Sequence, residues 1–167
     1  MKIEALTLEY GDPRYRALVD PLRDDIGLAY DMLRDAESRL DDRPGDWMVI
    51  ATVDGTPAAW RLLRPTLRWD GEIGGLRVVI LVRNAYVRRG YRLDDIGTDV
   101  YELVHDTTQP LITRLGVMAE SWVYEHPRKL MLADGWQDMP GQHGISTVIP
   151  DDHHEWWGMK WMPNPIG

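Results

Sequence analysis

The segment at residues 76–104 constrains the fold of this chain more than any other part of it. It opens with the apolar, largely β-branched run LRVVILV at residues 76–82, a composition typical of a buried strand. A polar segment follows that contains four arginines and one glycine: Arg83, Arg88, Arg89, Gly90 and Arg92. Apolar residues then recur at helical spacing from Leu93, with Asp94 and Asp95 in the predicted first turn. A strand, a basic loop and a helix N-terminus in this order predict a binding site for an anion such as phosphate.

Composition excludes several classes of site and location. The absence of cysteine rules out disulfides, thiolate metal sites and cysteine nucleophiles. A formal net charge of −8 argues against nonspecific binding to nucleic acid, so the basic loop is an exception in an acidic chain. No apolar run is long enough to cross a membrane, and the N-terminus lacks a signal-peptide hydrophobic region. We therefore expect a cytoplasmic protein with no membrane partner.

The order of predicted elements indicates the fold class. The patterns predict strands at residues 2–8, 47–53, 56–63, 76–82, 114–120 and 144–149, with a further strand in the aromatic-rich tail at 150–167. They predict helices at residues 14–40 in two pieces, at 93–104 and at 127–134, with loops at 64–75 and 105–110. Asp12 is the predicted cap of the first helix, and Asp54-Gly55 predicts a hairpin turn. We expect one α+β domain over residues 1–167, with a partly antiparallel central sheet flanked by helices.

This order, and the spacing within residues 82–90, resemble the GNAT acyltransferase superfamily. The family's central motif has a strand that ends in valine, then a proline, an aromatic residue, an arginine or glutamine, and a glycine. Those positions hold Val82, Asn84, Tyr86, Val87 and Gly90. The spacing matches, while Asn84 and Val87 depart from the pattern and Arg92 replaces a second small residue.

Two further stretches carry the same resemblance. Residues 49–63 look like the family's second and third strands, joined by an acidic-glycine turn. Residues 117–136 look like its fifth strand and following helix, which ends here in glycine and tryptophan. The family's asparagine after that strand is most nearly matched by Ser121, and its usual tyrosine falls on Met131.

The resemblance implies a coenzyme A thioester, most simply acetyl-coenzyme A, as co-substrate. The backbone of the central strand would hold the pantetheine arm, and the basic loop would hold the pyrophosphate. The implied binding residues are Leu81, Val82, Arg83, Arg88, Arg89, Gly90, Tyr91, Arg92 and Leu93. The alternative for this loop is a solvated turn whose arginines pair with nearby aspartates such as Asp99.

Acyl transfer to an amine uses a base for the amine proton and an acid for the departing thiolate. Glu120 ends the predicted fifth strand and is the candidate base; Tyr124 is the candidate acid in place of the missing tyrosine. The alternatives are a solvated strand end for Glu120 and a packed aromatic for Tyr124.

Two features of the tail invite other hypotheses. His153-His154-Glu155 matches no standard metal spacing, and neighbouring strand residues point to opposite faces, so we expect no metal site. Trp156, Trp157 and Trp161 predict core packing, an acceptor pocket, or an exposed edge strand that pairs with a second copy in a homodimer.

The sequence therefore predicts an N-acyltransferase that acetylates a primary amine of a small molecule or a protein. One alternative is a degenerate GNAT-fold protein without catalysis that binds a partner protein, as the departures at Val87, Arg92 and Met131 suggest. Another is an enzyme that modifies a nucleic-acid base, as phage members of the superfamily do. The net charge of −8 makes a nucleic-acid partner the least expected of these.

Overall fold

The computed structural model describes residues 1–22, 39–91, 95–149 and 152–163. The strands are β1 (Ile3–Glu9), β2 (Trp47–Val53), β3 (Thr56–Asp70), β4 (Gly75–Val87), β5 (Met118–Val123), β6 (Gln137–Ile149) and β7 (Asp152–Trp161). The helices are α1 (Pro13–Val19), α2 (Asp95–Leu115) and α3 (Glu125–Ala133), with short 3-10 helices at Asp20–Leu22 and Arg89–Tyr91. The seven strands follow the order β1-β2-β3-β4-β5-β7-β6, which confirms the predicted α+β fold.

The chain forms two compact units. Unit 1 comprises Met1–Arg64 and Arg83–Pro110, and unit 2 comprises Pro65–Val82 and Leu111–Gly167. Strands β3 and β4 each contribute residues to both units. The expectation of one domain over the whole chain stays a prediction.

Unit 1 is built on the antiparallel strands β1, β2 and the first part of β3. Asp54 and Gly55 join β2 to β3 with φ values of 49° and 82°, the left-handed pair that a two-residue hairpin turn requires. Asp12 caps α1 as predicted, because its side chain accepts a hydrogen bond from the Arg14 N–H at 2.9 Å. One core cluster packs in this unit: Leu8, Tyr15, Val19, Leu40, Met48, Ile50, Trp60 and Leu62.

A buried ion pair lies in the same unit. Arg64 donates from Nε and Nη2 to one oxygen of Asp46, at 3.0 and 2.7 Å. Both side chains are 2% exposed, and Asp42 adds a longer contact of 3.5 Å to the guanidinium. A charge that is removed from water to this extent depends on its partner for compensation.

Unit 2 contains the parallel pair of β4 and β5 and the antiparallel strands β7 and β6. β7 hydrogen-bonds to β5 on one side and to β6 on the other. The predicted last strand is therefore confirmed, but the hypothesis that its tryptophans form an exposed sheet edge is wrong, because β7 has a neighbour on each side.

Several predicted boundaries are wrong. Residues 64–70, predicted as loop, extend β3, and residues 83–87, predicted as polar loop, extend β4. Residues 105–110, predicted as a linker, lie inside α2. The buried face of α2 continues through His105 and Thr108. Because these two side chains are polar, apolar residues do not recur at helical spacing there, and the pattern does not predict a helix. The strand predicted at 114–120 begins only at Met118.

The strand predicted at 144–149 is the end of a longer strand, since β6 begins at Gln137. α1 and the first 3-10 helix match the start of the helix predicted at 14–40, while residues 23–38 lie outside the described part of the chain. Of the described helices, none is long and apolar enough to cross a membrane.

Candidate functional site

The predicted site residues divide between the two units, and each group is described within its own unit. Unit 1 holds Arg83, Arg88, Arg89, Gly90 and Tyr91, and unit 2 holds Leu81, Val82, Glu120 and Tyr124. Arg92, Leu93 and Asp94 lie outside the described residues.

In unit 1, the backbone and side chain of Arg88 are both held by β3. Its N–H donates to the Ala58 carbonyl at 2.8 Å, and Nη1 donates to the Pro57 carbonyl at 3.3 Å. Tyr91 N–H bonds back to the Arg88 carbonyl at 2.9 Å and closes the 3-10 turn. Residues 88–91 therefore form a hydrogen-bonded turn, and one N–H of the Arg88 guanidinium donates to the protein backbone.

Gly90 lies in this turn, at a position where the described residues do not require glycine. Its φ is outside the left-handed region, and apart from its two neighbours in the chain no described residue has an atom within 4 Å of the place a Cβ would occupy. Neither backbone conformation nor packing within the described chain demands a glycine there. Among the described residues, none fills the space beside Gly90.

The helix that follows the turn is fixed to β3 by a buried arginine. Arg61 is 1% exposed and donates from Nη2 to the Tyr101 hydroxyl at 2.8 Å. Its Nη1 lies 3.3 Å from Nδ1 of His105, one turn further along α2. Burial raises the pKa of Tyr101, while the adjacent guanidinium opposes that shift. These contacts hold α2 in one position relative to β3 within unit 1.

In unit 2, the parallel ladder between β4 and β5 is short. It runs from Val79 opposite Met118 to Val82 opposite Ser121 and ends there. The Ser121 hydroxyl donates to the Val82 carbonyl at 2.9 Å, at the last pair of the ladder. The hydroxyl of Ser121 therefore links the two strands at the last residue pair of the β4–β5 ladder.

A buried carboxylate lies one residue before that point. Glu120 stands opposite Leu81 in the ladder, and the residue is 8% exposed. Arg68 Nη2 lies 3.3 Å from Glu120 Oε2. This contact lacks the geometry of a hydrogen bond, and Oε2 accepts none from the described residues. A buried carboxylate oxygen with remaining acceptor capacity can take a proton from an amine.

Tyr124 follows β5 at the start of α3. It is 50% exposed, and its side chain does not cap the helix. Four residues of extended chain separate it from Glu120, a distance of about 13 Å.

Three solved structures resemble this chain over nearly their whole length. An acyl-CoA N-acyltransferase from Pseudomonas aeruginosa is 13% identical, with a TM-score of 0.54 over 95% of this chain and 99% of that chain. NAA60 of Arabidopsis thaliana in complex with acetyl-CoA is 13% identical, with a TM-score of 0.57 over 96% and 98%. An acetyltransferase of the GNAT family from Streptococcus pneumoniae is 12% identical, with a TM-score of 0.56 over 96% and 98%.

The chain has the GNAT fold. No family model and no curated protein matches its sequence, so the likeness lies in the structure. The resemblance inferred from residues 49–63, 82–90 and 117–136 is confirmed at the level of the fold.

Within this GNAT fold, the position that resembles the family's tyrosine holds Met131. Its side chain is fully buried in α3, and its carbonyl accepts hydrogen bonds from Asp134 and Trp136. Gly135 ends the helix with a φ of 88°, as its sequence predicts. Met131 is therefore a core residue and offers no acid.

Sequence reasoning missed Arg68, because residues 64–75 were assigned to a loop. The alternation of Leu67 and Trp69 with Arg68 and Asp70 is a strand signal that could have found it. No group of three potential metal ligands occurs among the described residues, and His153 and His154 have no described side chains.

Proposed function

We propose that this protein transfers an acyl group, acetyl in the simplest case, from a coenzyme A thioester to a primary amine. The amine belongs to a small molecule or a protein, and the reaction takes place in the cytoplasm. The observation that carries the proposal is the buried carboxylate of Glu120 beside the end of the β4–β5 ladder, in a chain with the GNAT fold.

The features of unit 1 support a place for the coenzyme. The 3-10 turn at Arg89–Tyr91 has open space at Gly90, and Arg88 brings a guanidinium to its start. Arginine side chains and turn N–H groups bind phosphate oxygens through charge-assisted hydrogen bonds. In this proposal Leu81, Val82 and Arg83 hold the pantetheine arm, and residues 88–93 hold the pyrophosphate.

The reaction is a direct attack. The amine nitrogen attacks the thioester carbonyl carbon, so that a C–N bond forms as the C–S bond breaks. The amine proton passes to Glu120, directly or through water, and the departing sulfur takes a proton from Tyr124 or from solvent. Orientation of the two substrates supplies much of the acceleration in such a step.

Replacement of the loop arginines tests the proposed coenzyme site. We expect the wild-type protein to bind acetyl-coenzyme A in the micromolar range by calorimetry. The Arg88→Ala/Arg89→Ala variant should bind at least about 10-fold more weakly, because each charge-assisted bond to phosphate is worth on the order of 1.5–3 kcal/mol.

The matched control is Arg14→Ala/Arg16→Ala, which removes two exposed arginines of α1 in the same unit. It should leave the affinity unchanged within about twofold, since these side chains pair with aspartates elsewhere in unit 1. A single Arg89→Ala variant separates loss of phosphate contact from loss of the Arg88 bond to Pro57. Absence of binding by the folded wild-type protein would overturn the proposal.

The second candidate is a GNAT-fold protein that binds a partner protein without catalysis. The burial of Met131 favours it, because the position that resembles the family's acid carries no ionisable group. Binding of acetyl-coenzyme A without turnover of any amine would support this candidate over the first.

A further inference from the structure

Five large apolar side chains are concentrated on one hairpin of unit 2. Among the described residues, Leu67, Trp69, Ile73, Leu76 and Val78 are each between 43% and 69% exposed. They lie within the ends of β3 and β4 and the turn at residues 71–74 between them. Single exposed apolar residues are ordinary, but such a concentration marks an interaction surface.

The polar contacts of the hairpin define its two faces. Arg77 Nε lies 3.0 Å from Asp70 Oδ2 across the two strands, and Arg68 contacts Glu120 of β5 at 3.3 Å. These charged side chains therefore share one face. Because strand residues alternate between faces, the other face carries Leu67 and Trp69 of β3 with Leu76 and Val78 of β4. None of these four side chains is charged.

The hairpin also extends past its neighbouring strands. The β2–β3 ladder ends at Leu63, and β3 continues to Asp70. The β4–β5 ladder begins at Val79, although β4 starts at Gly75. A two-stranded hairpin is marginally stable by itself, so burial of its apolar face against another surface would stabilise this extension.

We propose that this face is the contact surface of a homodimer, in which two copies pack their hairpins face to face. The four side chains of this face, together with Ile73 of the turn, present on the order of 500 Å² of apolar surface, at the upper end of what a monomer exposes. Two such faces bury about 1,000 Å², the area at which specific association begins. A contact related by a two-fold axis needs one self-complementary patch and no second surface.

The charge distribution favours a second copy as the occupant. Each chain carries a formal charge of −8, so two copies repel each other, and a contact surface without charged side chains adds no like-charge pair to that repulsion. A membrane surface is usually met with lysines or arginines around an apolar patch. Here the arginines of the hairpin, Arg68 and Arg77, lie on the opposite face in ion pairs.

The test is the mass of the full-length protein in solution by analytical ultracentrifugation over a concentration series. We expect a wild-type species of twice the monomer mass of 19.3 kDa at tens of micromolar, with tighter association at higher salt because repulsion is screened. Trp69→Lys and Leu76→Lys should each weaken dimerisation at least about 30-fold, the effect of losing a central apolar anchor.

Ile145→Lys is the matched control, because Ile145 is 58% exposed in unit 2 on β6, away from the hairpin in sequence. It should leave the dimer intact, and far-ultraviolet circular dichroism should show all three variants folded. A monomeric wild-type protein would overturn the proposal and leave the face to a different protein or to a membrane. A dimer that survives both hairpin variants, or that Ile145→Lys dissociates, would equally overturn it.

Discussion

Glu120→Gln is expected to lower kcat for acyl transfer at least about 100-fold, since a positioned general base contributes on the order of 10²–10⁴ to such a step. The amide keeps the shape of the side chain beside Arg68 but cannot accept the amine proton. Coenzyme release in the presence of an amine identified by screening measures the effect. The affinity for acetyl-coenzyme A should stay unchanged within about threefold, because Glu120 is assigned to the acceptor and not to the phosphates.

Glu125→Gln is the control for this variant. Glu125 carries the same charge in the first turn of α3, but its side chain is 72% exposed and pairs only loosely with Lys129 at 3.6 Å. Its replacement should leave kcat within about twofold of wild type. Full activity of Glu120→Gln would exclude Glu120 as the base and leave proton removal to water.

Asp46→Ala is expected to lower the free energy of unfolding by about 3–5 kcal/mol, the usual effect of removing one partner of a buried pair. Among the described residues, the Arg64 guanidinium would keep the 3.5 Å contact with Asp42, while its side chain stays 2% exposed. Urea unfolding followed by circular dichroism measures this change.

Lys129→Ala provides the comparison for Asp46→Ala, because it breaks an exposed pair in which both side chains are at least 70% exposed. It should change the free energy of unfolding by about 0.5 kcal/mol or less. An equal effect of the two variants would show that Asp46 does not compensate a buried charge.

Local sequence patterns predict those strands, helices and turns whose signals lie entirely within their own residues. β2 and the Asp54-Gly55 turn have the predicted boundaries, because the β-branched run and the left-handed dipeptide act locally. α2 was predicted too short because His105 and Thr108 occupy buried positions, and Pro110 lies inside the helix. The Thr108 hydroxyl bonds to the Val104 carbonyl, and Arg61 lies beside His105, contacts that a sequence pattern does not reveal.

In the candidate site, too, the sequence reveals local signals but not the contacts between distant residues. Glu120 could be singled out because it follows an apolar run, but the prediction that it ends the fifth strand is wrong, since it is buried inside β5. Its contact with Arg68 could not be predicted, because the two residues are distant in sequence and meet through the pairing of β3, β4 and β5. The roles of Glu120, Tyr124 and the loop residues stay predictions until they are measured.

Hydrogen exchange of the wild-type protein, with and without saturating acetyl-coenzyme A, locates the coenzyme site. We predict that amide exchange slows at least about 10-fold at residues 81–83 and in the turn at residues 88–91, where the pantetheine arm and the pyrophosphate are proposed to bind. Protection confined to other segments, or no change despite binding by calorimetry, would contradict the proposed coenzyme site.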